Sequence, residues 1–292
     1  MRLLATDDNI EEVLMNLSQS KLMAVDTETT GLNVFDGTHH LIGMSMSTEH
    51  GFHTYIPLQH TEGNVDMKWV GRIREVLSTP DLIWHNRKFD MHSFKTIGID
   101  PLEFKGIQYD TMLLFHMWYE EFYSFSMDAL AKTFIKHKGK LKSEEIHHIG
   151  RMYGYDSVPV GLMGDYAMMD TDITLQLWQF IWPKIIEENL DKVYLETEMP
   201  FTRLLYKMEQ RGVGVREDFV KRKVEIGRGR METLHRLLRF NPASTKDLKE
   251  VFIDILGLPI LKTTKTGKPS FTKDVMEQYD EMLMYFTDEK TK

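Results

Sequence analysis

The sequence has no cysteine in its 292 residues. This absence excludes disulfide bonds, thiolate zinc sites and a cysteine nucleophile. The sequence also has no apolar run that approaches the roughly 18 residues of a membrane span, and its start turns acidic too early for a signal peptide. We therefore predict an intracellular protein that has no membrane partner.

The chain carries a net charge of −8, and this charge is unevenly distributed. Residues 1–190 contain 16 Lys and Arg against 27 Asp and Glu, whereas residues 191–292 contain 20 against 17. Apolar residues make up 42% of the chain, which excludes a mainly disordered protein. The length predicts about two domains of roughly 150 residues. The basic second part either binds an anionic partner or serves solubility alone, and charge does not decide between these readings.

Short apolar runs in the first half predict strands. Residues 22–25, 41–48 and 51–58 are predicted to form adjacent strands, and residues 81–86 and 107–111 two further ones. Helical spacing is interleaved with these strands and then prevails. This order indicates an α/β or α+β fold in which helices cover a sheet.

The composition changes near residue 191, where we place the boundary between a domain of residues 1–190 and a region of residues 191–292. The second region is predicted to be helical, with long helices from Val193 to Gln210 and from Asp218 to about Phe240. A third helix is predicted to begin at Ser244 or Thr245. The basic, turn-rich segment that follows is predicted to be an exposed tip.

Asp26 and Glu28 stand at the end of the first predicted strand, in the string DTETTGL. Residues i and i+2 of a strand point to the same face, so the two carboxylates lie together and repel each other. A hard divalent cation, which prefers oxygen ligands, would relieve this repulsion. Two solvated acids at an exposed strand end are the simpler explanation of this motif when it is taken alone.

Two later strings carry further acids. HNRKFDMH (85–92) places Asn86 at a strand end and Asp90 in the first turn of a helix, where an acid commonly interacts with the helix dipole. YAMMDTDIT (166–174) places Tyr166 and Asp170 four residues apart, and therefore on one face of a helix. A surface pair would explain the second string equally well if it stood alone.

Taken together, Asp26, Glu28, Asp90 and Asp170, with Tyr166, resemble the DEDD superfamily of 3′–5′ exonucleases, tyrosine subtype. The strings DTETTGL, HNRKFD and YAMMDTDIT match its three motifs in order, over about residues 20–190. The resemblance implies a ribonuclease H-like mixed sheet with flanking helices.

The remainder of the chain is similar to family A DNA polymerases, the DNA polymerase I-like enzymes. Residues 196–215 resemble their segment between exonuclease and polymerase, and residues 240–274 resemble the tip of their thumb. The palm and finger motifs are absent from the sequence, so we predict no polymerase activity on this chain. A separate exonuclease subunit and a piece of a longer polymerase remain alternatives.

The resemblance also implies a mechanism, in which two Mg²⁺ or Mn²⁺ ions hydrolyse a phosphodiester. Asp26 would bridge the ions, Glu28 and Asp170 would complete the first site, and Asp90 would hold the second. Tyr166 would orient the attacking water. The products would be 5′-mononucleotides released from a 3′ end, as expected of a proofreading enzyme.

The substrate contacts that the resemblance implies are Leu32, as a wedge against the terminal base, together with Thr30, His85 and Asn86. Relatives often have a basic or histidine residue where this chain has the string FYSFS (122–126). We therefore expect Phe125 or Tyr123 to stack on a base instead.

The expected partner is a single-stranded or frayed 3′ end of DNA, in the cytoplasm of a bacterium or of a virus-infected bacterium. A duplex could bind to cations of the second region, and a separate polymerase polypeptide is a further candidate partner. These cations are Arg216, Lys221, Arg222, Lys223, Arg228, Arg230, Lys262, Lys265 and Lys268. An RNA-trimming exonuclease and a non-catalytic docking or clamp subunit of a split polymerase remain alternative functions.

Overall fold

The computed structural model describes residues 1–137 and 143–290. Within these residues, six strands form one sheet in the order β1-β4-β3-β2-β5-β6. The strands are β1 (Arg2–Leu4), β2 (Leu22–Thr29), β3 (Leu41–Thr48), β4 (His53–Pro57), β5 (Asp81–Trp84) and β6 (Gln108–Asp110). The predicted mixed sheet is therefore confirmed.

Strand β2 lies in the middle of the sheet. It pairs antiparallel with β3 and parallel with β5, while β4 continues the sheet antiparallel to β3. The three predicted adjacent strands are thus neighbours. Strand β1, which has three residues and pairs parallel with β4, was not predicted. A strand this short carries too little alternation to be detected from sequence.

Helices α1 to α9 surround the sheet or follow it. They are α1 (Ile10–Ser18), α2 (Val70–Leu77), α3 (Arg87–Lys95), α4 (Thr111–Trp118), α5 (Met127–Phe134), α6 (Ser143–Tyr153), α7 (Val160–Glu187), α8 (Asp191–Val193) and α9 (Met199–Arg211). A π-helical turn, Tyr194–Glu198, joins α8 to α9. No helix in the described parts of the chain is long and apolar enough to cross a membrane.

Some helix boundaries differ from the predictions for local reasons. A helix was predicted from Asp8 with Asp8 or Asn9 as its cap, but α1 begins at Ile10 and the Asn9 side chain accepts a hydrogen bond from the Thr6 N–H instead of capping the helix. Residues 65–78 have helical spacing in the sequence, but only Val70–Leu77 is α-helical, and a 3₁₀ turn precedes it. Helix α6 was not predicted.

Buried apolar side chains fill both faces of the sheet. One cluster joins α1, α2 and α3 to the sheet through residues such as Ile10, Ile73 and Phe94. A second cluster lies between the sheet and helices α4, α5 and α7, and contains Leu114, Leu130 and Leu177. Helix α7 packs against β2, β3 and β4, which places its residues beside the central strand.

The chain divides into two compact units, Met1–Gly212 and Val213–Lys292. The first unit extends beyond residue 190 because α9 packs on α3. Glu209 on α9 accepts hydrogen bonds from Lys88 Nζ and His92 Nε2, and the Tyr206 hydroxyl donates to the Met91 carbonyl. The boundary at residue 190, which was placed at a change in composition, stays a prediction.

The second unit is helical where it is described. It contains α10 (Glu217–Leu238), α11 (Thr245–Lys249), a π-helical segment (Glu250–Ile255) and α12 (Lys273–Lys290). Ser244 caps α11, as predicted, because its hydroxyl accepts from the Asp247 N–H. Leu258, Val275 and Tyr279 form a small buried cluster. The whole of α10 is exposed within this unit.

Candidate active site

Three carboxylates from two distant parts of the sequence meet beside the central strand. Asp26 and Glu28 lie on β2, and Asp170 lies on α7. One oxygen of each carboxylate lies within 4.8 Å of an oxygen of the other two. Asp170 is buried, and the other two acids are half-buried. Three negative charges this close together in a partly desolvated place require a cation or a proton.

The pairing of β2 explains why Asp26 and Glu28 lie together. Both residues belong to the antiparallel ladder with β3, where Asp26 faces Ser45 and Glu28 faces Gly43. Strand alternation therefore places both carboxylates on one face, as predicted. The register shifts directly after Glu28, between Glu28 and Thr29, so the ladder becomes irregular at the end of the site.

The fourth acid, Asp90, lies on α3 and is held by Thr27. The Thr27 N–H donates to Asp90 Oδ1 at 3.1 Å, and the Thr27 hydroxyl donates to the same oxygen at 2.6 Å. Burial raises the pKa of Asp90 well above its ordinary value, and the negative charge of Asp26 raises it further. Thr27 was not among the predicted residues. Strand alternation places its side chain on the face opposite to those of its two acidic neighbours.

The negative charges of the cluster also act on a buried tyrosine of β4. Tyr55 is 0% exposed, and burial raises its pKa well above the usual value, with further contributions from Glu28 and Asp26. His60 Nδ1 is hydrogen-bonded to the Val158 carbonyl, so its Nε2 accepts from the Tyr55 hydroxyl at 2.7 Å.

Gly43 leaves the space that the Tyr55 ring occupies. A Cβ atom at this position would lie 2.1 Å from the Tyr55 hydroxyl oxygen. An isolated glycine within a strand often marks such a close approach, so the sequence did contain a signal for this contact.

Tyr166 precedes Asp170 by one helical turn on α7, so the two side chains leave the same face of the helix. The Tyr166 ring is half-buried and packs against the apolar cluster that contains Tyr55 and Met163. Helix α7 thus supplies both the third carboxylate of the cluster and a phenol one turn before it.

The segment of residues 30–40 between β2 and β3 carries an exposed apolar side chain, Leu32, which is 88% exposed. Thr30 closes this segment, because its hydroxyl donates to the Thr38 carbonyl and its N–H donates to the His40 carbonyl. His39 is hydrogen-bonded to the Gly31 carbonyl within the segment and to Ser93 Oγ on α3, so it fastens the segment to this helix.

His85 and Asn86 lie between β5 and α3. Asn86 is exposed and adopts a left-handed backbone conformation with φ 68°. Its N–H donates to Asp110, which also accepts from the N–H groups of Arg87 and Met112. His85 Nδ1 is hydrogen-bonded to Thr111 Oγ1 at 2.8 Å. Asp110 thus fixes the backbone that carries Asn86.

The two candidate stacking residues differ in exposure. Phe125 is half-buried in the cluster beneath α5, and its ring lies 5.0 Å from that of His116. Tyr123 is 76% exposed. Of the two, Tyr123 presents the larger free surface.

The cations of α10 are exposed but do not share one face. At 3.6 residues per turn, Lys221 and Arg228 lie on the side that also carries Glu217 and Glu225, whereas Lys223 and Arg230 project elsewhere. Lys221 forms an ion pair with Glu217. The three cations of the predicted tip, Lys262, Lys265 and Lys268, are exposed, and Lys262 is bridged to Asp274.

A family model described as 3′–5′ exonuclease matches residues 1–186. The chain belongs to this 3′–5′ exonuclease family. The matched residues contain the complete sheet, the three-carboxylate cluster and Asp90. The predicted exonuclease activity is therefore confirmed at the level of the family.

The exonuclease is similar to parts of larger enzymes. It is 29% identical to DNA polymerase I of Pseudomonas aeruginosa over 92% of this chain and 31% of that protein, and 28% identical to the DNA polymerase of Escherichia phage T5 over 88% and 33%. The chain thus spans about a third of the length of the curated relatives it matches.

A solved structure shows the same fold. The POL domain of Pol1 from M. smegmatis, in complex with DNA primer-template and dNTP, superposes with a TM-score of 0.59 at 18% identity, over 97% of this chain and 45% of that chain.

The donor set of the exonuclease fits divalent metal ions. Its family is generally metal-dependent, and the cluster offers carboxylate oxygens alone, which hard divalent ions prefer. The spacing of these oxygens, within 4.8 Å of one another, allows a single ion to contact all three side chains. Asp26, Glu28 and Asp170 are therefore the residues that could hold a metal.

Proposed function

We propose that this exonuclease removes nucleotides from the 3′ end of DNA and releases 5′-mononucleotides. The observation that carries the proposal is the convergence of Asp26, Glu28 and Asp170 beside the buried Asp90, in a chain of the 3′–5′ exonuclease family. DNA is the proposed substrate because the similarity to DNA polymerases covers about nine-tenths of the chain.

The four acids are the residues that would hold two divalent ions, Mg²⁺ or Mn²⁺. Asp26, Glu28 and Asp170 would hold the first, and Asp90 would hold the second together with Asp26. When bound, the ions supply positive charge that neutralises the phosphodiester and the charge that develops during its hydrolysis.

The remaining side chains act on water and on the substrate. Tyr166 accepts or donates a hydrogen bond that orients the attacking water beside Asp170. Thr27 keeps the Asp90 carboxylate in place through its two hydrogen bonds. These roles require the fixed positions that β2, α3 and α7 give the side chains.

The terminal nucleotide contacts the rim of the site. Leu32 is exposed on a segment that Thr30 and His39 hold closed, so it can press against the terminal base without losing a hydrophobic contact. Asn86, which is exposed at the start of α3, contacts the nucleotide with its side-chain amide, and His85 lies beside it. The aromatic platform is Tyr123 or Phe125.

The second unit binds duplex DNA through the exposed cations of α10 and of the predicted tip. A polymerase that extends the same 3′ end is the proposed partner, either as further chain or as a separate polypeptide, and the reaction would then be proofreading. This work takes place in the cytoplasm of a bacterium or of a phage-infected bacterium, where the DNA is.

A direct comparison of DNA and RNA tests the choice of substrate. Oligonucleotides of identical sequence, one DNA and one RNA, carry a 5′ label and are incubated with the protein and Mg²⁺ or Mn²⁺. We expect a ladder that shortens from the 3′ end, faster for DNA, and nucleoside 5′-monophosphates as products. Faster degradation of the RNA would assign the chain to RNA trimming. Binding of DNA without any shortening would favour a docking or clamp subunit.

A further inference from the structure

A cavity of about 220 Å³ lies in the first unit, outside the carboxylate cluster. Among the described residues that line it are three cations, Arg87, Lys105 and Arg203, and no acid. The rest of the lining is mainly apolar and includes the flat side chains of Pro101, Phe104 and Pro200. A cavity with this composition attracts a small anion that has an apolar body.

Arg87 is the most informative of the three cations, because its side chain is 1% exposed. Its Nη1 donates only to the Met199 sulfur, at 3.7 Å, and its Nε has no hydrogen-bond partner among the described residues. A buried guanidinium normally forms hydrogen bonds with a carboxylate or another oxygen acceptor. This side chain therefore has an unused capacity to bind an anion.

The acid nearest to Arg87 does not fill this role. Both oxygens of the buried Asp110 accept backbone N–H groups, Oδ1 from Asn86 and Met112 and Oδ2 from Arg87 itself. Burial lowers the pKa of Arg87 to about 10, against the opposing effects of Tyr194 and Asp110. The guanidinium nonetheless stays protonated at neutral pH.

The other two cations lie at the edge of the same cavity. Lys105 and Arg203 are exposed, and Arg203 is held in position because its Nη2 donates to the Leu102 carbonyl at 3.1 Å. Three cations without a lining acid suit a group of two negative charges better than a single carboxylate. A phosphate monoester has this charge and accepts bidentate hydrogen bonds from arginine.

The size of the cavity leaves room for a ring. A dry cavity of about 150 Å³ accommodates benzene, so 220 Å³ accommodates a ring together with part of an anionic group. We propose that this cavity binds a small phosphate monoester with a flat ring, of the class of nucleoside 5′-monophosphates.

The cavity contains no free amide to read a base. Gln108, which is the only amide side chain among the described residues that line it, donates from Nε2 to the Gly106 carbonyl and accepts from Trp84 Nε1 at Oε1. Apolar contact alone discriminates weakly between rings. The site therefore accepts purine and pyrimidine nucleotides alike.

The inference rests on the proposed function only for the source of the ligand, since nucleoside 5′-monophosphates are the proposed products of the exonuclease. Binding is therefore measured without the reaction. The full chain with Asp170→Asn, in EDTA, is titrated calorimetrically with dAMP, dTMP, inorganic phosphate and deoxyadenosine. We expect dAMP and dTMP to bind within about threefold of each other, phosphate to bind more weakly, and deoxyadenosine not to bind.

Three variants locate the site. Arg87→Met keeps the apolar volume and should weaken dAMP binding by at least about tenfold. Lys105→Ala with Arg203→Ala changes only exposed side chains and should weaken it by about fivefold or more, which keeps the test decisive if Arg87→Met does not fold. Arg74→Ala, an exposed arginine on α2 outside the cavity, should have no effect.

Several results would overturn the proposal. These are no heat of binding with dAMP or dTMP at millimolar concentration, equal binding of deoxyadenosine, phosphate binding as tight as nucleotide binding, or affinity unchanged in the Lys105 and Arg203 variant. None of these outcomes affects the exonuclease proposal, because that reaction is assayed separately on labelled DNA with metal ions present.

Discussion

Thr27 shows how one side chain supports a buried charge in this molecule. Asp90 is 2% exposed, and Thr27 donates two hydrogen bonds to it, one from the backbone and one from the hydroxyl. A side chain that only orients a metal-binding carboxylate typically changes activity by 10- to 100-fold when it is removed. Thr27 should therefore be measurable as a positioning residue.

We predict that Thr27→Val lowers the exonuclease rate by about 10- to 100-fold. Valine has the shape of threonine but cannot donate to Asp90 Oδ1, so the carboxylate loses its 2.6 Å hydrogen bond. The rate at saturating DNA and the Mg²⁺ concentration for half-maximal activity report the effect, and the latter should rise. Thr27→Ser retains the hydroxyl and serves as the control. Equal losses in both variants would contradict the role of the hydrogen bond.

The raised pKa of Asp90 predicts a pH dependence of stability in the absence of metal. Burial, followed by the charge of Asp26, raises this pKa above the ordinary value of 3.8. Between the two values the folded protein binds more protons than the unfolded chain, so the contribution of Asp90 to the free energy of unfolding falls as pH rises. Above the raised pKa the folded protein carries a buried, uncompensated charge.

Asp90→Asn should therefore be more stable than the wild-type protein at about pH 7 to 8 in EDTA. We expect its free energy of unfolding to be higher by about 1–3 kcal/mol, and each kcal/mol corresponds to roughly 2–4 °C in Tm. The difference should shrink on acidification, because Asp90 becomes protonated, and it should shrink when Mg²⁺ is added. Calorimetry across pH measures both effects. Asp165→Asn, which changes an exposed acid of α7, is the control. A less stable Asp90→Asn protein at pH 8 would refute this account.

At the scale of the element, strands β3 and β4 fit together through one glycine. Gly43 allows the Tyr55 ring to lie across β3, and Tyr55 is in turn fixed by His60. This packing lies directly behind Glu28, because Gly43 is the residue that faces Glu28 across the ladder. A change in the packing should therefore displace a carboxylate of the site.

We predict that Gly43→Ala destabilises the first unit by about 1–3 kcal/mol and reduces exonuclease activity. The new Cβ would approach the Tyr55 hydroxyl oxygen to 2.1 Å, which forces the ring or the strand to move. Urea unfolding and the DNA degradation rate measure the two effects. Gly71→Ala on α2, where nothing lies within 4 Å of the new Cβ, should be neutral or stabilising. Wild-type behaviour of Gly43→Ala would show that this packing is unimportant.

The elements differ in how far the sequence predicts them. Strands β2 and β3 and the cap of α11 follow from apolar runs and a capping serine. The contacts between Thr27 and Asp90, and between Gly43 and Tyr55, depend on strand register and on how α3 docks. Residues 63 positions apart form the first of these contacts, and local patterns carry no information about such distances.

At the scale of the whole molecule, the second unit carries the excess of positive charge. The cations of α10 are exposed, but acids on the same side of the helix compensate some of them, notably Glu217 beside Lys221. Lys223 and Arg230 lie one above the other, two turns apart, on a different side. If this unit holds duplex phosphates, the second pair should contribute more than the first.

We predict that Lys223→Gln with Arg230→Gln weakens binding to a duplex with a frayed 3′ end. The slope of the logarithm of the binding constant against the logarithm of the salt concentration should fall in magnitude by about one to two. Lys221→Gln with Arg228→Gln should change the slope less, because Glu217 and Glu225 share that side. Fluorescence anisotropy, measured at salt concentrations from about 50 to about 200 mM, gives the slope. Equal slopes for all proteins would exclude this surface from DNA binding.

The three-carboxylate cluster was the most predictable feature of the molecule, because two short motifs contain Asp26, Glu28 and Asp170. The extent of the first compact unit was less predictable. Helix α9 belongs to it through Glu209 and Tyr206, whose contacts to α3 bridge more than 100 residues. The sequence does place the change in composition at residue 191, but packing decides where the unit ends.

If the carboxylate cluster hydrolyses the phosphodiester bond at a 3′ end, a matched pair of variants on α7 shows this most directly. Asp170 belongs to the cluster, whereas Asp165 is exposed on the same helix. The wild-type protein and both variants are given 5′-labelled single-stranded DNA with Mg²⁺ or Mn²⁺. We predict that Asp170→Asn lowers the rate of 3′ shortening by at least about 10³-fold, and that Asp165→Asn retains the wild-type rate. Undiminished shortening by a folded Asp170→Asn protein would contradict the account.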